Sequence, residues 1–244
     1  MAPGPASGRA AGGRFLVRDT TVNRIRRNPD VALLLPQTKT RSRSDGYRTA
    51  CRHLAGNDPV MRSLIAQVGP CTLVPRLPYF PVLCDSIVSQ QLSTVAAATI
   101  YRRFSALFPR RTPTPAAVRL TPVPELRRVG LSAQKAGYLR DLAEGFLDGR
   151  IVTRALSRRS NEEIVAALMS VRGIGRWTAE MFLIFSLNRL NVLPVDDLGI
   201  RKAIRRWYEF KSLPAARTVR QVGKPWEPYE TVACWYLWQS LRLT

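Results

Sequence analysis

Acidic residues are scarce in this chain: 17 Asp and Glu stand against 38 Lys and Arg in 244 residues, a formal charge of +21. So one-sided a chain repels itself when compact, which points to a polyanionic partner, either nucleic acid or an anionic membrane surface. Charge alone leaves open a plain Arg-rich, ribosomal-type protein. Long apolar runs are missing too, and nothing approaches the roughly 18 residues of a membrane span. One such run, Met181-Phe182-Leu183-Ile184-Phe185, suits a buried helix. Cysteine is limited to Cys51, Cys71, Cys84 and Cys234, with no CxxC pair. That argues against zinc, an iron–sulfur cluster or a disulfide framework, and implies a reducing, intracellular location. The single histidine, His53, sits on an apolar-periodic stretch and reads as structural. No strand-like alternation and no internal repeat is present.

What is there divides at about residue 45. Residues 1–45 begin Met1-Ala2-Pro3-Gly4-Pro5, continue with Arg24, Arg26, Arg27, Arg41 and Arg43, and hold no sustained hydrophobic period. They read as a disordered basic arm, with an organelle transit peptide as the other reading of an Arg-rich, acid-poor N-terminus. Residues 46–244 read as helix nearly throughout. Asp58-Pro59 is an N-cap followed by proline at the first helical position. Pro81 to Phe108 gives two helices with a break near Ser89–Ser93, and Pro113, Pro115, Pro122 and Pro124 mark a loop. Helices follow from Ser132, from Asn161, after Gly175, from Leu198 and from Glu227-Pro228. The expected fold class is all-α.

Val171-Arg172-Gly173-Ile174-Gly175-Arg176-Trp177-Thr178-Ala179 joins two of these helices through a short turn. Gly173 and Gly175 can take positive φ and leave amides uncovered beside a helix N-terminus, where the dipole favours an anion. Two glycines alone fit any αα-hairpin with glycine C-caps. Together with the charge they read as a site for one DNA phosphate, with Arg176 beside it and Thr178 as a hydroxyl donor. Asp196-Asp197 precedes the next helix, where an Asp is a preferred N-cap.

The stretch Val171 to Ala179 followed by Pro194-Val195-Asp196-Asp197-Leu198-Gly199-Ile200 resembles the helix-hairpin-helix (HhH-GPD) DNA glycosylases, and within them the 3-methyladenine DNA glycosylase II, or AlkA-like, branch. Ile87-Val88-Ser89-Gln90-Gln91-Leu92-Ser93, Gly130-Leu131-Ser132-Ala133-Gln134-Lys135-Ala136 and Pro225-Trp226 match that branch in order, so the resemblance covers about residues 50 to 243. It implies two helical lobes with an active-site cleft between them; the N-terminal β domain of the bacterial type form is not expected, because the first 45 or so residues cannot build one. It implies a monofunctional enzyme of base excision repair, a monomer acting on damaged bases in double-stranded DNA, in the cytoplasm or nucleoid of a bacterium or the nucleus or an organelle of a eukaryote. Alkylated purines of the 3-methyladenine type are the expected substrate. Deaminated or ethenylated purines (hypoxanthine, ethenoadenine) and a non-catalytic DNA-binding module are the alternatives.

The resemblance also distributes roles. Asp197 becomes the carboxylate that stabilises an oxocarbenium-like sugar and activates water. Trp177 occupies the position where strand-cutting relatives carry a Schiff-base Lys, which removes the nucleophilic amine. Trp177 and Trp235 are the expected base-pocket aromatics, whose faces attract a cationic purine, while Trp207, Trp226 and Trp238 are expected in the core. Gln91 matches the side chain that fills the gap left by a flipped base, with Leu92 adjacent. Lys135 is expected to face phosphate or solvent. A monovalent cation on the carbonyls of Met169, Val171 and Gly173 is implied by the resemblance alone; no other cofactor is expected.

Overall fold

A computed structural model describes residues 39–243, with side chains from residue 45. The arm expected over residues 1–45 therefore falls outside the described residues, apart from the start of the first helix. Twelve α-helices and no strand occur among the described residues. They are α1 (Lys39–Asn57), α2 (Pro59–Val68), α3 (Tyr79–Ser89), α4 (Thr94–Ser105), α5 (Pro115–Leu120), α6 (Val123–Arg128), α7 (Ala133–Leu147), α8 (Asn161–Met169), α9 (Arg176–Phe185), α10 (Leu198–Trp207), α11 (Ala216–Gly223) and α12 (Glu230–Ser240).

Side-chain caps set half of the starts. Asp58, Ser93, Thr114, Ser132, Ser160 and Asp197 each accept an amide of the first turn they precede. Ser160 and Glu163 complete a capping box at α8. The proline-rich stretch expected to be a loop instead holds α5 and α6. Pro115 and Pro124 sit in the first turn of α5 and α6, where a missing N–H costs nothing. The last helix starts at Glu230 rather than at Glu227-Pro228, after a 3-10 turn over Lys224–Trp226.

Packing sorts the helices into neighbourhoods: α7 lies against α3, α5 and α6, α12 lies against α2 and α10, and α8 pairs with α9. α12 is buried on every side from Thr231 to Leu237, as a central helix must be. Burial of each large apolar side chain there contributes roughly 1.5–3 kcal/mol. The buried Asp58 carboxylate in that region is fully employed. Asp58 Oδ1 caps α2 through the amides of Val60 and Met61, and its Oδ2 accepts from Tyr208 Oη at 2.6 Å and Trp226 Nε1 at 2.8 Å. Trp226 is completely buried, as expected of it. His53, also placed as structural, sets its ring edge-on to Tyr229 and its Nε2 3.3 Å from the Pro225 carbonyl.

Candidate active site

Residues 170–175 turn the chain from α8 into α9. Gly173 takes φ +87, and a Cβ added there would lie 2.2 Å from Cδ2 of Tyr138, so both conformation and space require glycine. Gly175 departs from the positive φ expected of it: its φ is −91, and nothing lies within 4 Å of an added Cβ. It is the N-cap of α9 and brings no capping side chain. The amides of Arg176, Trp177 and Thr178 thus open the helix uncapped, the arrangement that receives an anion. Behind the turn, Asp141 accepts the Arg172 amide at 2.8 Å and Arg150 Nη2 at 3.1 Å. Burial opposes the Asp141 charge, but the Arg172 amide and the Arg150 guanidinium outweigh it and hold the carboxyl below its usual range.

Two side chains of this segment behave otherwise than expected. The Arg176 guanidinium forks onto both oxygens of Glu162, at 3.0 and 2.9 Å, because α8 brings that acid alongside. Thr178 is only 7% exposed, turned into the core by helical period, so its backbone amide rather than its hydroxyl lies at the helix start.

Asp197 is the N-cap of α10 and 8% exposed, whereas its neighbour Asp196 is exposed. Its Oδ1 accepts the Ile200 amide at 2.8 Å and Trp238 Nε1 at 3.0 Å. Its Oδ2 accepts Trp177 Nε1 at 2.7 Å. None of these donors carries a formal charge, so the carboxylate is oriented without being neutralised. With two donors on Oδ1 and one on Oδ2, it is Oδ2 that keeps an open lone pair. Gly199 makes room for this, since an added Cβ would meet Asp197 Oδ1 at 3.0 Å and Trp238 at 3.1 Å. Trp177 is nevertheless 51% exposed: its edge holds the acid while its face meets solvent. From behind, Trp238 packs on Phe185 with centroids 5.5 Å apart, and the Arg76 guanidinium lies 5.9 Å over Phe185.

Between α3 and α4 the chain breaks at Gln91, which takes φ +55 and is exposed, with Leu92 beside it at 38%. This loop is fastened at two points. Gln90 Nε2 donates to the Gly173 carbonyl at 2.7 Å, and Lys135 Nζ donates to the carbonyls of Val88 and Gln90, each at 2.7 Å. Lys135, expected to face phosphate or solvent, instead closes the C-terminus of α3, and desolvation lowers its pKa from the usual lysine value. Hydrogen bonds therefore run from the Gln90–Gln91 loop to the glycine hairpin, and α9 starts there with Trp177, whose indole N–H reaches Asp197.

The model of the HhH-GPD superfamily of base excision DNA repair proteins matches residues 84–228, which takes in the loop, the hairpin and Asp197. The chain belongs to that superfamily. An alkylbase DNA glycosidase-like protein of Schizosaccharomyces pombe is 34% identical over 207 residues, 83% of this chain and 97% of that protein. DNA-3-methyladenine glycosylase 1 of the same yeast is 37% identical over 196 residues, 78% of this chain and 86% of that protein. Among solved structures, the S. pombe 3-methyladenine DNA glycosylase in complex with abasic DNA superposes with a TM-score of 0.71 at 36% identity. That match covers 80% of this chain and 98% of the other.

Seen as an HhH-GPD protein, the chain holds site residues that the sequence left in other places. Trp238, expected in the core, is half-buried and bonds Asp197, while Trp235, expected in the pocket, is buried with its ring edge-on to Tyr236. Tyr138 and Asp141 carry no distinguishing signal, because the hairpin residues they meet, Gly173 and Arg172, lie far along the chain. Glu180, one turn beyond Trp177, is pushed up to about 7 by burial, opposed by Arg176 and reinforced by Asp196. At the hairpin, the Val171 and Gly173 carbonyls accept one hydrogen bond each, from the Ile174 amide and the Gln90 side chain. Each retains a second lone pair with which a monovalent cation can be held.

Proposed function

We propose that this chain is a monofunctional DNA glycosylase that hydrolyses the N-glycosidic bond of alkylated purines in double-stranded DNA, acting as a monomer on genomic DNA inside the cell. The observation that carries the reading is the Asp197 carboxylate, buried and fixed by three uncharged donors beneath the exposed face of Trp177. The names of the S. pombe relatives support the choice of 3-methyladenine-type substrates.

In this reading the uncapped start of α9 takes one phosphate and sets the register on the duplex. Gln91, with Leu92, fills the space vacated by the flipped nucleotide. The purine stacks on Trp177, whose electron-rich face favours a cationic alkylated base by about 0.5–2 kcal/mol. As the bond lengthens, positive charge grows on the sugar, and the open lone pair of Asp197 Oδ2 faces it or the attacking water. The departing base leaves as a neutral purine, so no strong general acid is needed. No amine stands at residue 177, so the sugar keeps its place in an intact backbone. The domain that does this extends over residues 46–244, its two helical lobes flanking the cleft.

The test is base release from methylated genomic DNA and from duplexes with a single hypoxanthine or ethenoadenine, for wild type and Asp197→Asn. The expected result is release of 3-methyladenine by wild type and a loss of at least about 100-fold in the variant. Equal duplex binding by both proteins with no release by either overturns the reading in favour of a non-catalytic module.

A further inference from the structure

Three side chains of α7 reach in turn toward the parts of the site that must contact DNA. Lys135, Tyr138 and Asp141 stand at i, i+3 and i+6, on neighbouring positions of one helical face. Lys135 Nζ is bonded to the Val88 and Gln90 carbonyls at the root of the Gln91 loop. The Tyr138 ring occupies the space against Gly173 where a Cβ would stand. Asp141 holds the Arg172 amide at the entry of the hairpin. From Lys135 to Asp141 the helix advances about 9 Å as a rigid rod. Gln90 closes the figure from the other side through its 2.7 Å bond to Gly173.

We propose that α7 is the spacer that fixes the inserted side chain and the phosphate-binding hairpin at one separation, with Lys135, Tyr138 and Asp141 as its positioning residues. The proposal rests on the glycosylase reading for its consequence: a wedge set at the wrong distance from an anchored phosphate cannot fill the helix gap while the base reaches Asp197. Lys135 touches neither DNA nor the reacting bond in this scheme. Its two hydrogen bonds hold the C-terminal carbonyls of α3, and without them the Gln90–Gln91 turn loses its fastening to α7. The positive φ of Gln91 makes that turn a conformation the rest of the fold has to hold in place.

The experiment compares wild type, Lys135→Met, Lys135→Arg and Gln90→Met, each checked for its thermal midpoint. The probe is a duplex carrying a tetrahydrofuran abasic analogue with 2-aminopurine beside it, whose fluorescence reports insertion of a side chain and needs no chemistry. Base release from methylated duplex is scored separately. Lys135→Met is expected to lose the fluorescence change and about 100-fold in kcat, the scale of a misplacement near 1 Å. Its affinity for undamaged duplex should stay within about two-fold, since phosphate contacts dominate that binding. Lys135→Arg, which can still donate to both carbonyls, should restore insertion, and Gln90→Met should repeat the Lys135→Met pattern even if the latter fails to fold. Wild-type insertion by folded Lys135→Met or Gln90→Met overturns the spacer. So does a parallel loss of undamaged-duplex affinity. A wild type that inserts but releases no base fails the glycosylase reading while leaving the spacer supported.

Discussion

Replacing Gly173 by alanine tests the hairpin at its tightest point. The φ of +87 is one that L residues avoid at a cost of roughly 1–2 kcal/mol. The added Cβ would also stand 2.2, 2.5 and 2.7 Å from three atoms of the Tyr138 ring, and relieving such overpacking costs about 1–3 kcal/mol more. A total near 3 kcal/mol follows, which for a domain of this size lowers Tm by about 6–12 °C in a thermal melt. Duplex binding should weaken as well, and the slope of log affinity against log salt should fall by about one phosphate. A double-mutant cycle with Tyr138→Ala separates the two causes. If the ring is the obstacle, the pair should cost less than the sum of the single changes by about 1–2 kcal/mol. A Tm change below about 2 °C with an unchanged salt slope would refute both the steric account and the phosphate role of the turn.

Asp58→Ala removes the cap of α2 and leaves the buried donors of Tyr208 and Trp226 unpaired, so it should cost about 3 kcal/mol, measured by urea titration. Glu180 titrates near 7 in the folded chain against 4.5 when free, so the folded state holds a proton the unfolded state has released between those values. Stability should decline as pH rises through that window and level off above it, and Glu180→Gln should flatten the decline in melts from pH 4 to 8, by about 1–3 kcal/mol. Incubation of alkylated duplex with wild type should leave the strand unbroken until alkali is added; breaks without alkali would contradict the assignment drawn from Trp177.

The features legible in the sequence are those fixed by near neighbours. Asp58, Ser132 and Asp197 could be read as caps because a cap and its amide lie two or three residues apart. α11 is not legible, because Ala215 precedes it and offers no side-chain signal for a start. α5 and α6 are hidden by their prolines, which mark the beginning of a helix as readily as a loop. The choice between Trp235 and Trp238 was beyond periodicity, since α12 is apolar on all sides and has no stripe to show which indole looks outward. The partners of Arg176 and Lys135 are hidden from the sequence for the reverse reason. Their own surroundings are exposed and polar, but the groups that claim them, Glu162 and the α3 carbonyls, come from other elements.

A rod that gauges a distance tolerates substitution better than a change of length. One residue inserted between Lys135 and Asp141 would lengthen α7 by about 1.5 Å and turn everything beyond it by about 100°. Tyr138 and Asp141 could then no longer both face the hairpin while Lys135 held the loop. The exposed stretches of two connections, 109–112 and 153–154, carry no such register and can gain or lose residues at little cost. In chains of this design, insertions and deletions should therefore gather in those connections and leave the run from 135 to 141 intact.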